Sequence, residues 1–216
     1  FDSTPTLQGD AMDATMNYQG FSFPVWRWLA GHDLGAWNEE PQPYSDTVPL
    51  PAEAAAEQMQ AFIAAVPWVI TRQQFNQLGS HDTPRILTVV AGNHDLAKLG
   101  AGLLLTFPGV PCIYYGDEVG MAGGRDPYNR GGMVWDETAQ DGDMLAHYKA
   151  LVALRREHPA LIHGGFQFLL AKGDLLAYQR THNGQRVIVV GNRGEPHDNV
   201  RVPVWAGGVP DGSRFT

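Results

Sequence analysis

From residue 1 to about 161, short runs that alternate apolar and polar positions are followed by longer runs whose apolar positions recur at helical spacing. That succession is the pattern of β/α units. The strand candidates are "DATMNY" (13–18), "QFNQLGS" (74–80) and "VPCIYY" (110–115). Between the first two, "AEAAAEQMQAFIAAV" places Ala55, Met59, Phe62, Ile63 and Val66 on one face among strong helix formers, which predicts an amphipathic helix. The run "PRILTVVAGNHDLAKLGAGLLLTF" predicts a helix interrupted near Gly92-Asn93, and "MLAHYKALVALRREH" predicts another. Residues 31–51, rich in Pro, Gly, Asp and Asn, read as a long loop of the kind that often carries function.

After His158-Pro159 the pattern changes. "GFQFLLA", "LLAYQRT", "QRVIVVG" and "VRVPVW" are short β-rich runs, and Asn183-Gly184 between two of them is a two-residue hairpin signal. Residues 162–216 therefore read as an antiparallel β unit following an α/β unit over 1–161. About three β/α units cannot close an eight-stranded barrel of roughly 250 residues, so a barrel architecture would be mostly missing. The chain opens at Phe1 without Met and stops in the turn-like "PDGSRFT", which reads as a piece cut from something longer.

Composition narrows the partners. A net charge of −8, with no long Lys/Arg run, makes nucleic acid and anionic membrane poor partners. No apolar span of transmembrane length and no signal-like start appears, which favours a cytoplasmic protein. The single cysteine, Cys112, excludes an internal disulfide and reads as small core filler.

The candidate chemistry lies where strands end. His81-Asp82 follows the second strand candidate, the place where β/α proteins collect reactive side chains. The alternative is that Asp82 merely caps a helix opened by Thr83-Pro84. Asp117 and Glu118 end the third candidate and lead into "AGGRDPYNRGGMVW", whose Asp126, Tyr128 and Arg130 suit a sugar site or an ordinary surface loop. Of two further His-Asp steps, His94-Asp95 reads as a solvated helix start, and His32-Asp33 lies in the long loop. No second His or Cys stands at ligand spacing from 81–82, so no metal centre is expected.

"LGSHDTPR" followed by "FPGVPCIYYGDEVGM" resembles the last two sequence signatures of the α-amylase superfamily, glycoside hydrolase family 13. The opening "FDSTPTLQGDAMDATMNYQGF" is similar to the region through barrel strand six of its cyclomaltodextrinase, neopullulanase and maltodextrin glucosidase group. "GRDPYNRGGMVW" and "LVALRREHPALIHGGFQFLLA" resemble maltodextrin glucosidases in particular.

The resemblance implies the C-terminal part of a TIM (β/α)8 barrel over 1–161, with strands seven and eight near 75–81 and 110–115, followed by a small antiparallel β-sandwich. It implies hydrolysis of α-1,4-linked maltodextrins by a retaining mechanism without cofactor or metal. Asp82 would be the transition-state stabiliser, with His81 binding sugar beside it and Asp126, Tyr128 and Arg130 as further substrate contacts.

The family's strand-four nucleophile and strand-five acid signatures are absent, so this chain alone is expected to be inactive, and Asp117 and Glu118 do not take those roles. A half barrel would leave apolar edges that associate with a second copy or with the missing portion. Two rival readings are a carbohydrate-binding or assembly module and an α-glucan transglycosidase of the same superfamily. Against the first, Phe166, Phe168, Tyr178 and Trp205 alternate with aliphatic residues as core positions do.

Overall fold

The computed structural model of the chain describes residues 2–30 and 48–215, so most of the expected 31–51 loop and the His32-Asp33 step lie outside the described residues. The elements run α1 (Phe23–Ala30), α2 (Ala52–Ala65), α3 (Trp68–Thr71), β1 (Phe75–Gln77), α4 (Ile86–Val89), α5 (His94–Thr106), β2 (Val110–Cys112), α6 (Gly142–Glu157) and α7 (Pro159–His163). Then come β3 (Gly165–Lys172), β4 (Leu175–His182) and β5 (Gln185–Asn192).

β1 and β2 pair in parallel with Phe75 opposite Val110, and Met16 bridges Phe75 in parallel on the other side. Three parallel segments therefore lie in chain order, as consecutive β/α units require. The expected strand over 13–18 contracts to that single bridge. Asn17 ends it by turning its side chain onto the Gly20 N–H at 3.0 Å, which starts a π-helical turn over Tyr18–Ser22. The freed side chains still tie the segments, because Asn17 Nδ2 donates to Asn76 Oδ1 and Asn76 Nδ2 to Pro108 O, both at 2.8 Å.

The helices start and stop where local chemistry directs. α2 buries Ala52, Ala55, Ala56, Met59 and Phe62 on one face, as the spacing predicts. The expected break near Gly92-Asn93 falls at Ala91 and Gly92, which adopt left-handed φ of 53° and 79°, before Asn93 caps α5 at Leu96 N–H. His94 is accordingly the first residue of α5, a helix start as expected. α1, an apolar run around two tryptophans, buries Pro24 to Leu29.

The tail forms a three-stranded antiparallel meander, β3-β4-β5, with the Asn183-Gly184 turn at φ 47° and 82° matching the type I′ hairpin signal. "VRVPVW" is not a strand: Pro203 removes a ladder donor, and the chain turns into a short 3-10 helix at Val204–Gly207. Trp205 is 72 % exposed there, whereas Phe166, Phe168 and Tyr178 do pack in the core. Phe107, at the end of α5, meets Phe166 at 4.9 Å and Tyr178 at 6.2 Å between ring centroids, so one continuous core joins the helices to the sheet.

A buried cation closes that joint. Arg180 on β4 is fully buried and donates to Thr106 O, Leu161 O, Gly164 O and Gly165 O at 2.6, 2.9, 3.0 and 3.2 Å. Thr106 ends α5 and Leu161 lies in the last turn of α7, so its charge sits on the negative ends of two helices. Arg180→Ala leaves several carbonyls buried without a donor, at about 1–3 kcal/mol each. Urea unfolding should show a loss of at least about 3 kcal/mol, and Arg180→Lys, with one nitrogen in place of three, should recover only part of it.

Candidate active site

At the carboxyl end of β1 the chain makes a tight turn from Ser80 to Thr83. Ser80 N–H donates to Thr83 Oγ1 at 3.1 Å, and Asp82 N–H donates to Ser80 Oγ at 3.0 Å. These local bonds engage the Ser80 and Thr83 hydroxyls and leave the His81 and Asp82 side chains in solvent, 59 % and 49 % exposed. The helix that follows starts at Ile86, with Arg85 at its N-cap position, so Asp82 does not cap a helix at Thr83-Pro84. Its carboxylate instead lies 3.2 Å from His81 Nε2 and 4.0 Å from Arg130 Nη2.

Arg130 comes from the loop after β2 and binds this turn twice over. Its Nε donates to His81 O at 3.0 Å and lies 2.9 Å from Asp126 Oδ1, while Nη2 donates to Asp126 Oδ2 at 3.2 Å. Four of the five sequence-predicted site residues, His81, Asp82, Asp126 and Arg130, thus share one exposed charged cluster. Tyr128, on the same 3-10 turn as Arg130, exposes 77 % of its surface beside them. An exposed carboxylate held near a guanidinium and an imidazole can accept hydrogen bonds from sugar hydroxyls and oppose a growing positive charge.

Beneath the cluster, Arg85 Nη1 donates to Asp117 Oδ1 at 3.1 Å and to Tyr115 O at 2.5 Å. The guanidinium carbon lies 4.6 and 4.7 Å from the ring centroids of Tyr114 and Tyr115. Asp117 is buried and hydrogen-bonded to Arg85, a supporting role that keeps it out of reach of a substrate; Glu118 accepts from Gly116 N–H at 2.8 Å. Gly79 makes room for this pair, since a Cβ there would stand 2.9 Å from Asp117 Oδ2. Cys112, expected in the core, is only half-buried on β2, the edge strand of the parallel pair; burial raises its thiol above the ordinary value.

Two residues that sequence reasoning passed over prove central to the geometry. Arg85 stood inside the quoted "LGSHDTPR", and Asn129 stood between the flagged Tyr128 and Arg130. Neither carries a sequence signal of burial, because both are polar residues in loop-like stretches; only the packing of the two loops encloses them.

Burial pushes the Asp117 carboxyl up from its ordinary 3.8 to about 7, against the pull of Arg85 and with a push from Glu118. The folded chain therefore keeps a proton that the unfolded chain has already released. The stability this group contributes is full below pH 3.8 and is lost as pH rises through about 7. Urea midpoints measured from about pH 4 to about pH 8 should fall for the parent through that window, and Asp117→Asn should flatten this part of the profile.

Comparison with known proteins places this geometry in a family. The model of the α-amylase catalytic domain matches residues 3–164. The chain is 36% identical over 221 residues to a cyclomaltodextrinase of Geobacillus thermopakistaniensis, covering 99% of this chain and 35% of that protein. It is 31% identical to the intracellular maltogenic amylase of Bacillus subtilis, covering 88% of this chain and 30% of that protein. Among solved structures, the debranching enzyme of Nostoc punctiforme superposes with a TM-score of 0.81 at 35% identity, over 90% of this chain and 40% of that one. The chain thus spans about a third of the length of the curated relatives it matches. With its catalytic-domain match and these relatives, the chain belongs to the α-amylase family of glycoside hydrolases, family 13.

Proposed function

We propose that this chain is the strand-seven and strand-eight side of a retaining glycoside hydrolase that cleaves α-1,4-glucosidic bonds of maltodextrins, working within a longer chain. Residues 1–161 contribute to the catalytic barrel and 162–216 to the β domain after it. The observation that carries the reading is the meeting of His81 and Asp82 with Asp126 and Arg130 at the carboxyl ends of parallel strands, in solvent and on a buried base. The name of the cyclomaltodextrinase relative supports the substrate class, and that of the intracellular maltogenic amylase supports a cytoplasmic location.

In this reading Asp82 is the transition-state stabiliser. It accepts hydrogen bonds from the sugar at the cleavage point as oxocarbenium character grows, and it transfers no proton. His81, beside it, donates to the same sugar, and Asp126, Tyr128 and Arg130 line the approach. The nucleophile and the general acid come from strands four and five of the longer chain, so these 216 residues alone do not turn over substrate.

Association follows from the same reading. Met16, Phe75 and Val110 on the parallel segments are 38 %, 38 % and 46 % exposed, and the far edge of β2 carries no strand partner among the described residues. Beside that edge runs an open groove of about 700 Å³ lined by Val69, Leu105, Val110, Pro111 and Ile162, with Arg72 on its wall. The remainder of the barrel, or a second copy, covers these apolar surfaces.

The purified chain should run above its 23.6 kDa mass in solution and release no glucose from maltotriose. Glucose release by this chain alone would overturn the assignment of roles, and a monodisperse monomer would overturn the association. In the full-length chain, Asp82→Asn should lower kcat by about 10²–10³.

A further inference from the structure

The turn that carries His81 and Asp82 is held from outside by its carbonyl groups. Asn129 Nδ2 donates to Ser80 O at 3.1 Å and to Thr83 O at 2.9 Å, spanning the two ends of the turn. Arg130 Nε takes the carbonyl between them, His81 O, at 3.0 Å. Within the turn the backbone closure is weak, since Thr83 N–H reaches Ser80 O only at 3.5 Å.

The two clamps differ in kind. The Arg130 side chain is 46% exposed, so water competes for its bonds, whereas Asn129 has no exposed surface at all. Reversing the Asn129 amide would set an oxygen against two carbonyl oxygens, which fixes its orientation. The segment that presents it is itself wedged in place. A Cβ on Gly123 would stand 2.5 Å from Tyr128 O, and Gly123 bonds Thr88 Oγ1 at 2.8 Å and Arg85 N–H at 3.0 Å.

We propose that Asn129 is a positioning residue for Asp82: its buried amide fixes the Ser80–Thr83 turn and thereby the place and direction of the Asp82 carboxylate. The inference rests on the reading of Asp82 as transition-state stabiliser. Without the amide, Ser80 O and Thr83 O lose their shared donor and the turn is free to swing toward solvent. A displacement of about 1 Å in a group that must meet a transition state costs up to about 10²-fold in rate.

The test compares Asn129→Ala and Asp82→Asn with the double variant in the full-length chain that carries this segment, with maltotriose as substrate. Asn129→Ala should lower kcat by about 10–100-fold while KM stays within about threefold, and should cause no further loss when added to Asp82→Asn. A loss that multiplies with that of Asp82→Asn would show that Asn129 does not act through Asp82, and would overturn the proposal. Full kcat in Asn129→Ala beside an impaired Asp82→Asn overturns the positioning role and leaves the role of Asp82 standing. Full kcat in Asp82→Asn overturns the reading of Asp82 and this inference with it. Amide hydrogen exchange across 80–83, read on the folded variants, should quicken in Asn129→Ala relative to α5; unchanged exchange there overturns the clamp itself.

Discussion

A guanidinium removed from water has to find its partners inside the protein, and Arg85 has no exposed surface. It finds them on one neighbouring segment: Asp117 Oδ1, the Tyr115 carbonyl, and the faces of Tyr114 and Tyr115. Arg85 Nε and Nη2 have no hydrogen-bond partner among the described residues, so the ring faces bear part of the charge, a contact worth about 2 kcal/mol when desolvated. Because Arg85 closes the loop after β1 and its partners open the loop after β2, this one requirement locks the two strand ends together. The geometry of the exposed cluster above depends on that lock.

The site is layered as a result. The lowest layer is the parallel β1–β2 pair with its Asn17–Asn76 tie; the next is the buried Arg85–Asp117 pair; above it lie the Asn129 amide and the Gly123 wedge. The top layer, His81, Asp82, Asp126, Tyr128 and Arg130, meets solvent above the buried Arg85, Asp117 and Asn129 side chains. Rigid backbone below and exposed side chains above are the combination that lets a carboxylate stay available to a sugar without drifting. The Arg85–Asp117 pair and the exposed cluster each draw residues from both loops, and the Asn129 amide of one loop holds the carbonyls of the other, so neither loop could take this shape alone.

The tail sheet is built on a related principle. Arg180 satisfies itself on helix-end carbonyls instead of on a carboxylate, and the Phe107, Phe166 and Tyr178 rings pack against one another across the same joint. The Tyr178 hydroxyl adds a 2.6 Å bond to Thr106 Oγ1 at the same helix end. The change from helices to antiparallel strands falls after α7 at His163, five residues beyond His158, while the apolar core runs across it unbroken. The aromatics of β3 and β4 are spent on that core, and Trp205 stands exposed on a 3-10 turn that side chains of the sheet hold by Ala206 O and Gly207 O.

What the sequence by itself determined are the features with short-range causes. The face of α2, the break at Ala91-Gly92, the Asn183-Gly184 hairpin and the position of His81-Asp82 after a strand all follow from spacing and from residues whose backbone preferences are local. The two long signatures likewise made the family legible before any packing was known. The tertiary structure alone decided that 13–18 shrinks to one bridge, that 200–205 forms no strand, and that Arg85, Asp117 and Asn129 become buried supports. Burial of a polar residue is a property of two segments meeting, and Asn129 meets Ser80 across 49 positions of chain. No window of sequence contains both partners of such a contact, so only the folded chain could assign their roles.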